Sequence, residues 1–404
     1  MEETEKPTIY TARAFQTQHK FDDDDFFTYP TSTEQKRVEE LCEGEYKSCL
    51  SQDLGQIAEL HREQHIQYLL KSLKALPANY ETLDASRPWL CYWTVHSLAL
   101  LDRPVPKDLM HKMVAFLKSC QHKDGGYGGG PGQLAHLATT YAAVMALCTI
   151  GTKEAYDSID RASLLKFLRA MKHPDGGFQV HDGGEVDIRG AYCAVAVATL
   201  TNLNSPQLTD KTDGWVISCQ TYEGGFGGST GCEAHGGYTF CGVATLIMLG
   251  HQGLIDVQAL LKWLAFKQMK FEGGFQGRTN KLVDGCYSFW QAANFPMLQE
   301  VLCQRHLDIK TDWLYDNRAA QEYILFCCQD ALGGLLDKPE KARDLYHTCY
   351  VLSGLSIAQH LFEDVTDVVG KSSVNKLVAT HPLYNITAES ERKARLHFES
   401  LAAV

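Results

Sequence analysis

The chain has 404 residues and no apolar run near the roughly twenty that a membrane span needs. Its first residues, MEETEKPT, show neither the basic nor the apolar stretch of a secretory signal, and its final ESLAAV is not a lipidation box. Alternating Val/Ile/Thr runs between hairpin turns are scarce, which argues against a sheet-based fold. Positive charge is in deficit: the formal net charge is −11, which argues against nucleic acid as the main partner and suits a partner carrying positive charge. No CxxC pair and no HExxH announces a metal. The fourteen cysteines sit mostly in small apolar helical runs. They read as buried free thiols in a reducing cytosol, so a cytoplasmic location is expected.

Glycine is plentiful and periodic. A Gly-Gly turn followed by an apolar residue recurs at Gly125, Gly176, Gly224, Gly273 and Gly333, a period of roughly fifty residues, usually with Gln four or five places upstream. After each turn comes a segment rich in small apolar residues, such as YAAVMALCTI from Tyr141 or AYCAVAVATL from Ala191. LCYWTVHSLALL, from Leu90, supplies a sixth. Before the turns lie amphipathic segments such as SLLKFLRAMK from Ser163. A helix apolar all round must be covered on both sides, whereas one with a single apolar stripe lies at a surface. The pattern predicts an all-α protein: an α-α barrel of alternating inner and outer helices, with 45% apolar residues to fill its core. The expected divisions are a mobile tail (1–30, with the acidic run Asp22 to Asp25), N-terminal helices (31–82), the repeat barrel (83–362) and a polar C-terminal segment (363–404).

In such a ring the turns gather at one end, beside the starts of the inner helices. Polar residues just after the turns are therefore the candidates for chemistry: Asp187 and Arg189; Glu233 and His235; Arg278, Lys281, Asp284, Cys286 and Tyr287; Asp337, Lys341, Tyr346 and His347. Arg, Lys and His near helix N-termini suit an anion; the bland alternative is a solvated loop. Trp89, Trp93, Tyr141, Tyr192, Tyr238, Trp290 and Tyr350 would either fill the core or line a deep apolar cavity. Asp284, Cys286 and His347 are all zinc-ligand types, though such a cysteine can equally be a core residue.

The segments ASRPWLCYW, GGPGQLAHLATTYAA, EAHGGYTFCG, FEGGFQGRTNKLVDGCYSFWQA and GGLLDKPEKARDLYHTCYVLSGLSIAQH closely resemble protein farnesyltransferase β subunits, over about residues 35 to 390. That resemblance implies one zinc ion on Asp284, Cys286 and His347. It implies farnesyl diphosphate held by His235, Arg278, Lys281 and Tyr287, with its isoprenoid along Trp89, Tyr192, Cys241 and Trp290. Trp89, Trp93 and Tyr346 would line the pocket for a CaaX peptide, with Arg189 near that peptide's C-terminus. Asp337 matches the position tied to a magnesium requirement. It further implies an α subunit as obligatory partner and CaaX-terminated proteins such as small GTPases as substrates. The sister family, geranylgeranyltransferase type I β, is the alternative; it carries a small residue in place of Trp89 and Lys in place of Asp337. A terpene cyclase would need a DxDD-type motif within the repeats, where none is found. A pure binding scaffold would be indifferent to loss of Asp284 or Cys286.

Overall fold

The computed structural model describes residues 20–21, 29–51, 58–304, 313–362, 365–402 and 404. The acidic run Asp22 to Asp25 and most of the N-terminal tail lie outside the described residues. An N-terminal helix, α1 (Pro30–Ser51), precedes six outer-inner pairs. Outer α2 (Arg62–Ser72) leads to inner α3 (Arg87–Leu100), and outer α4 (Lys107–Ser119) to inner α5 (Leu137–Ile150). A short α6 (Lys153–Asp157) precedes outer α7 (Arg161–Met171) and inner α8 (Ile188–Leu200). A short α9 (Pro206–Thr209) precedes outer α10 (Thr212–Ile217) and inner α11 (Gly236–Met248). Outer α12 (Val257–Ala265) is followed by a divided inner element, α13 (Tyr287–Trp290) and α14 (Asn294–Gln304). Outer α15 (Asn317–Cys327) and inner α16 (Leu345–Gln359) complete the series. A two-stranded antiparallel ribbon, β1 (His360–Phe362) with β2 (Val365–Thr366), leads to α17 (Ser372–Asn375) and α18 (Ala388–Glu399).

Burial separates the two sets as their composition requires. Inner α5 buries eleven of its fourteen residues, whereas outer α4 buries only Met113, Val114 and Leu117. Each inner helix packs on the next, and α16 packs back on α3, so the ring is closed.

The repeated turn is the joint of this ring. Its first glycine has a positive φ (+96° at Gly125, +108° at Gly224, +85° at Gly333), open to glycine at little cost. That glycine also abuts the following outer helix: a Cβ on Gly125 would lie 1.8 Å from the Ser163 carbonyl oxygen in α7. On Gly333, in the last repeat, a Cβ would lie 2.0 Å from the Gln64 carbonyl oxygen in α2, the first outer helix. The upstream Gln completes the joint. Gln220 Nε2 donates to the carbonyls of Gly224 and Asp256, and its Oε1 accepts from the Asp256 N–H at the start of α12. Gln268 does the same at Asp316, and Gln329 bonds the Glu59 carbonyl and the His61 N–H, at the closing seam. In the second repeat Lys172 replaces Gln and donates to the Gly176 carbonyl at 2.8 Å.

Two features differ from the sequence expectation. The inner element from Tyr287 is not continuous. Its ladder tightens to i→i+3 bonds at Asn294 and Phe295, where the Asn294 amide side chain donates to the carbonyls of Trp290 and Gln291. The C-terminal segment is not merely a polar tail. It contains Ile386 and Phe398, both buried, and its Val378 N–H bonds the Leu100 carbonyl at the C-terminal end of α3. From there it rises into the barrel: Tyr92, Tyr141 and Tyr192 hydroxyls donate to the carbonyls of Asn385, Tyr384 and Leu383 at 2.6, 2.8 and 2.9 Å. The ring is thus floored at one end and leaves the starts of its inner helices for chemistry.

Candidate active site

Aromatic rings from all six inner elements meet within the barrel. Trp89 packs on Trp93 and Tyr141, Tyr141 on Tyr192, Tyr192 on Phe240, Phe240 on Trp290, and Trp290 on Tyr350, at centroid separations of 4.4 to 5.7 Å. Tyr346 joins the belt to Trp93 at 5.6 Å and accepts a hydrogen bond from Trp290 Nε1 at 3.0 Å. Cys241 is buried within the same wall. Such a belt offers apolar surface with few polar handles, and its Trp89, Trp290 and Tyr346 are only partly buried.

At its upper edge Asp284, Cys286 and His347 come together, although His347 is distant in sequence. One ligand atom from each lies within 4.8 Å of the others. Asp284 precedes α13 and accepts from the Cys286 N–H at 2.9 Å, which folds the Asp-x-Cys unit back on itself. His347 sits in the first turn of α16, whose N-cap Asp344 accepts from both its backbone N–H and its Nδ1, at 2.7 Å each. That bond turns Nε2 toward Asp284 Oδ1, 3.3 Å away. A carboxylate that orients a histidine is the usual support of a metal-bound imidazole. Asp344 was not among the sequence candidates; its signal was its place at the N-cap, three residues before His347.

The electrostatics favour a cation between these groups. Burial opposes a charged His347, yet Asp284 and Asp344 outweigh it and push its pKa up to about 10. Burial, reinforced by Asp284, holds the Cys286 thiol well above its ordinary range. Burial and the neighbouring Asp284 also raise Asp337, despite its ion pair with the buried Lys338. Carboxylate, sulfur and imidazole within a few ångströms form a donor set that fits one divalent ion with an open position.

Polar residues cluster about the mouth. His235 caps α11: its Nδ1 accepts from the Gly237 N–H at 3.1 Å, so a neutral ring carries its proton on Nε2 and donates to Tyr287 Oη, 2.9 Å away. Burial and the adjacent Arg278 keep this histidine below its ordinary pKa. The Tyr287 O–H is then left to donate to a ligand. The expected cationic rim is not bare: Arg278 pairs with Glu233 at 2.6 Å, and Arg189 with Asp187 and Glu185. Lys281 and Lys341 are exposed.

The prenyltransferase alpha-alpha toroid domain matches residues 60–386. Protein farnesyltransferase subunit beta of Arabidopsis thaliana is 41% identical over 397 residues, covering 83% of this chain and 82% of its own. The chain belongs to the protein farnesyltransferase β-subunit family. Within prenyltransferases the match to the geranylgeranyl branch is weaker: the type-1 subunit beta of A. thaliana is 31% identical over 338 residues, 75% of this chain and 86% of its own. Candida albicans protein geranylgeranyltransferase-I complexed with GGPP shares the fold at a TM-score of 0.69 and 21% identity, over 83% of this chain and 98% of that one. As a member of this family the chain is a subunit of a protein-prenylating enzyme. Among the described residues no helix is long and apolar enough to cross a membrane, and the described cysteines are free thiols.

Proposed function

We propose that this chain, paired with an α subunit, transfers a farnesyl group from farnesyl diphosphate to the cysteine thiol of C-terminal CaaX sequences, on proteins such as small GTPases. The observation that carries the reading is the Asp284–Cys286–His347 cluster at the boundary between an aromatic cavity and a rim bearing Arg278, Lys281, His235 and Tyr287. The cavity suits an isoprenoid, with Tyr192, Cys241 and Trp290 along it; the rim suits its diphosphate.

Asp284, Cys286 and His347 would hold one zinc ion, whose charge lowers the pKa of a substrate thiol and keeps it as thiolate. The thiolate sulfur attacks carbon 1 of the donor, a C–S bond forms, and the C–O bond breaks with its electron pair leaving on diphosphate. Arg278, Lys281, His235 and Tyr287 would stabilise the charge that grows on that leaving group. Asp337 would take part in holding magnesium on the same diphosphate. Trp89, Trp93 and Tyr346 would line the peptide pocket, with Arg189 near the peptide's C-terminus. The barrel proper is taken as residues 83–362, between the N-terminal helices and the C-terminal segment. A cytoplasmic location suits the free thiols. Alone, the chain is expected to be inactive, because the family's α subunit brings a lysine to the diphosphate.

Two variants check the parts. Asp344→Asn keeps a capping residue on α16 but weakens the hold on His347 Nδ1, and is expected to lower zinc affinity about 10- to 100-fold in chelator competition. Trp89, wedged against Trp93 and Tyr141, should set the usable depth of the cavity. Trp89→Thr is expected to admit geranylgeranyl diphosphate, and continued exclusion of the longer donor would remove Trp89 as the gauge. The reading as a whole is tested by co-expressing the chain with a family α subunit. The pair is given a CaaX peptide, zinc, magnesium and equal farnesyl and geranylgeranyl diphosphates, and the peptide is weighed by mass spectrometry. A farnesyl adduct alone is expected. A geranylgeranyl adduct would move the chain to the sister activity, and no adduct from a folded, zinc-loaded pair would refute the substrate assignment.

A further inference from the structure

Arg278 and Glu233 belong to loops that enter different inner helices, 45 residues apart, yet Arg278 Nη1 donates to Glu233 Oε2 at 2.6 Å. Both side chains stay open to solvent, 42% and 47% exposed, so packing does not force them together. The contact lies beside the His235–Tyr287 hydrogen bond, and the charges of both Arg278 and Glu233 reach the His235 ring. Lys281, next along the same loop, has no ion pair among the described residues. Among the described residues Arg189 pairs only with carboxylates of its own loop, Asp187 and Glu185, whereas Arg278 is held by a carboxylate from a different loop.

Carboxylate and phosphate oxygens compete for the same planar fork of guanidinium donors. We propose that Glu233 is a built-in counter-ion that competes with diphosphate for Arg278, holding the arginine in place before the donor arrives and easing diphosphate off after transfer. This rests on the reading of the rim as the donor's diphosphate site. Glu233 touches no reacting atom and acts through Arg278, as a positioning residue. An exposed ion pair is weak, so a diphosphate of higher charge displaces it, and the effect on affinity is a few-fold.

The test uses the co-expressed pair and inorganic diphosphate as the probe, titrated calorimetrically at low and high salt. Glu233→Gln keeps the size of the side chain and removes its charge. It is expected to bind diphosphate about two- to fivefold more tightly than wild type at low salt, with the gain shrinking as salt rises. In the Arg278→Gln background the same change should give no gain. Equal or weaker binding by Glu233→Gln overturns the proposal and leaves the diphosphate site standing. Absence of diphosphate binding in wild type and in Glu233→Gln alike overturns both.

Discussion

If Asp284, Cys286 and His347 hold zinc as proposed, Cys286→Ala and His347→Ala are each expected to abolish stoichiometric zinc binding and to lower peptide transfer by at least about 10²- to 10³-fold. Each removes one of three ligand atoms that lie within 4.8 Å of one another. Loss of a residue that merely supports a metal ligand already costs about 10- to 100-fold, so loss of the ligand itself should cost more. A free substrate thiol has a pKa near 8.5 and is only a few per cent thiolate at neutral pH, which adds to the loss of positioning. Donor binding should change by less than about twofold, because the aromatic belt and the rim are left in place. Metal content by plasma mass spectrometry and donor affinity by fluorescence titration check the two halves. Full zinc in Cys286→Ala would remove that residue from the ligand set.

A large effect on stability is expected at a glycine of the repeated turn, outside the proposed ligand set. Gly333→Ala places a Cβ 2.0 Å from the Gln64 carbonyl oxygen, at a residue with φ of +85°. Left-handed strain alone costs an L-residue about 1–2 kcal/mol, and the overlap with backbone adds about 1–3 kcal/mol or more. The overlap falls on the seam where the last repeat meets the first outer helix, so relief would mean opening the ring. A fall in melting temperature of roughly 5 °C or more is expected for the purified pair. Gly132→Ala is the control: its φ is also positive, +76°, but a Cβ there meets nothing within 4 Å. It should cost only the strain. Equal losses in the two variants would show that backbone conformation, not the seam, explains the repeat glycines.

These two positions show how much could be read in advance. The period of the Gly-Gly turns, the small-residue helices behind them and the amphipathic helices before them are local signals, and they gave the barrel and the end at which its polar residues collect. Asp284, Cys286 and His347 were within reach because each stands at the start of an inner helix, a place the repeat itself marks. The recurring Gln was visible but unexplained: its partners, such as Asp256 for Gln220, lie in the next repeat. The floor was not legible, because Tyr92 and Asn385 are 293 residues apart and a backbone carbonyl has no residue signature. The pairing of Arg278 with Glu233 on the rim had the same cause. Glu233 and Arg278 were both candidates, but only the closed ring sets one against the other.

X-ray absorption at the zinc edge of the co-expressed pair tests the central claim most directly. One sulfur and a shell of lighter N/O neighbours are expected in the resting enzyme, from Cys286 with Asp284 and His347, rising to two sulfurs when a CaaX peptide is added. Zinc surrounded by N/O neighbours alone, or a sulfur count that peptide leaves unchanged, would contradict it.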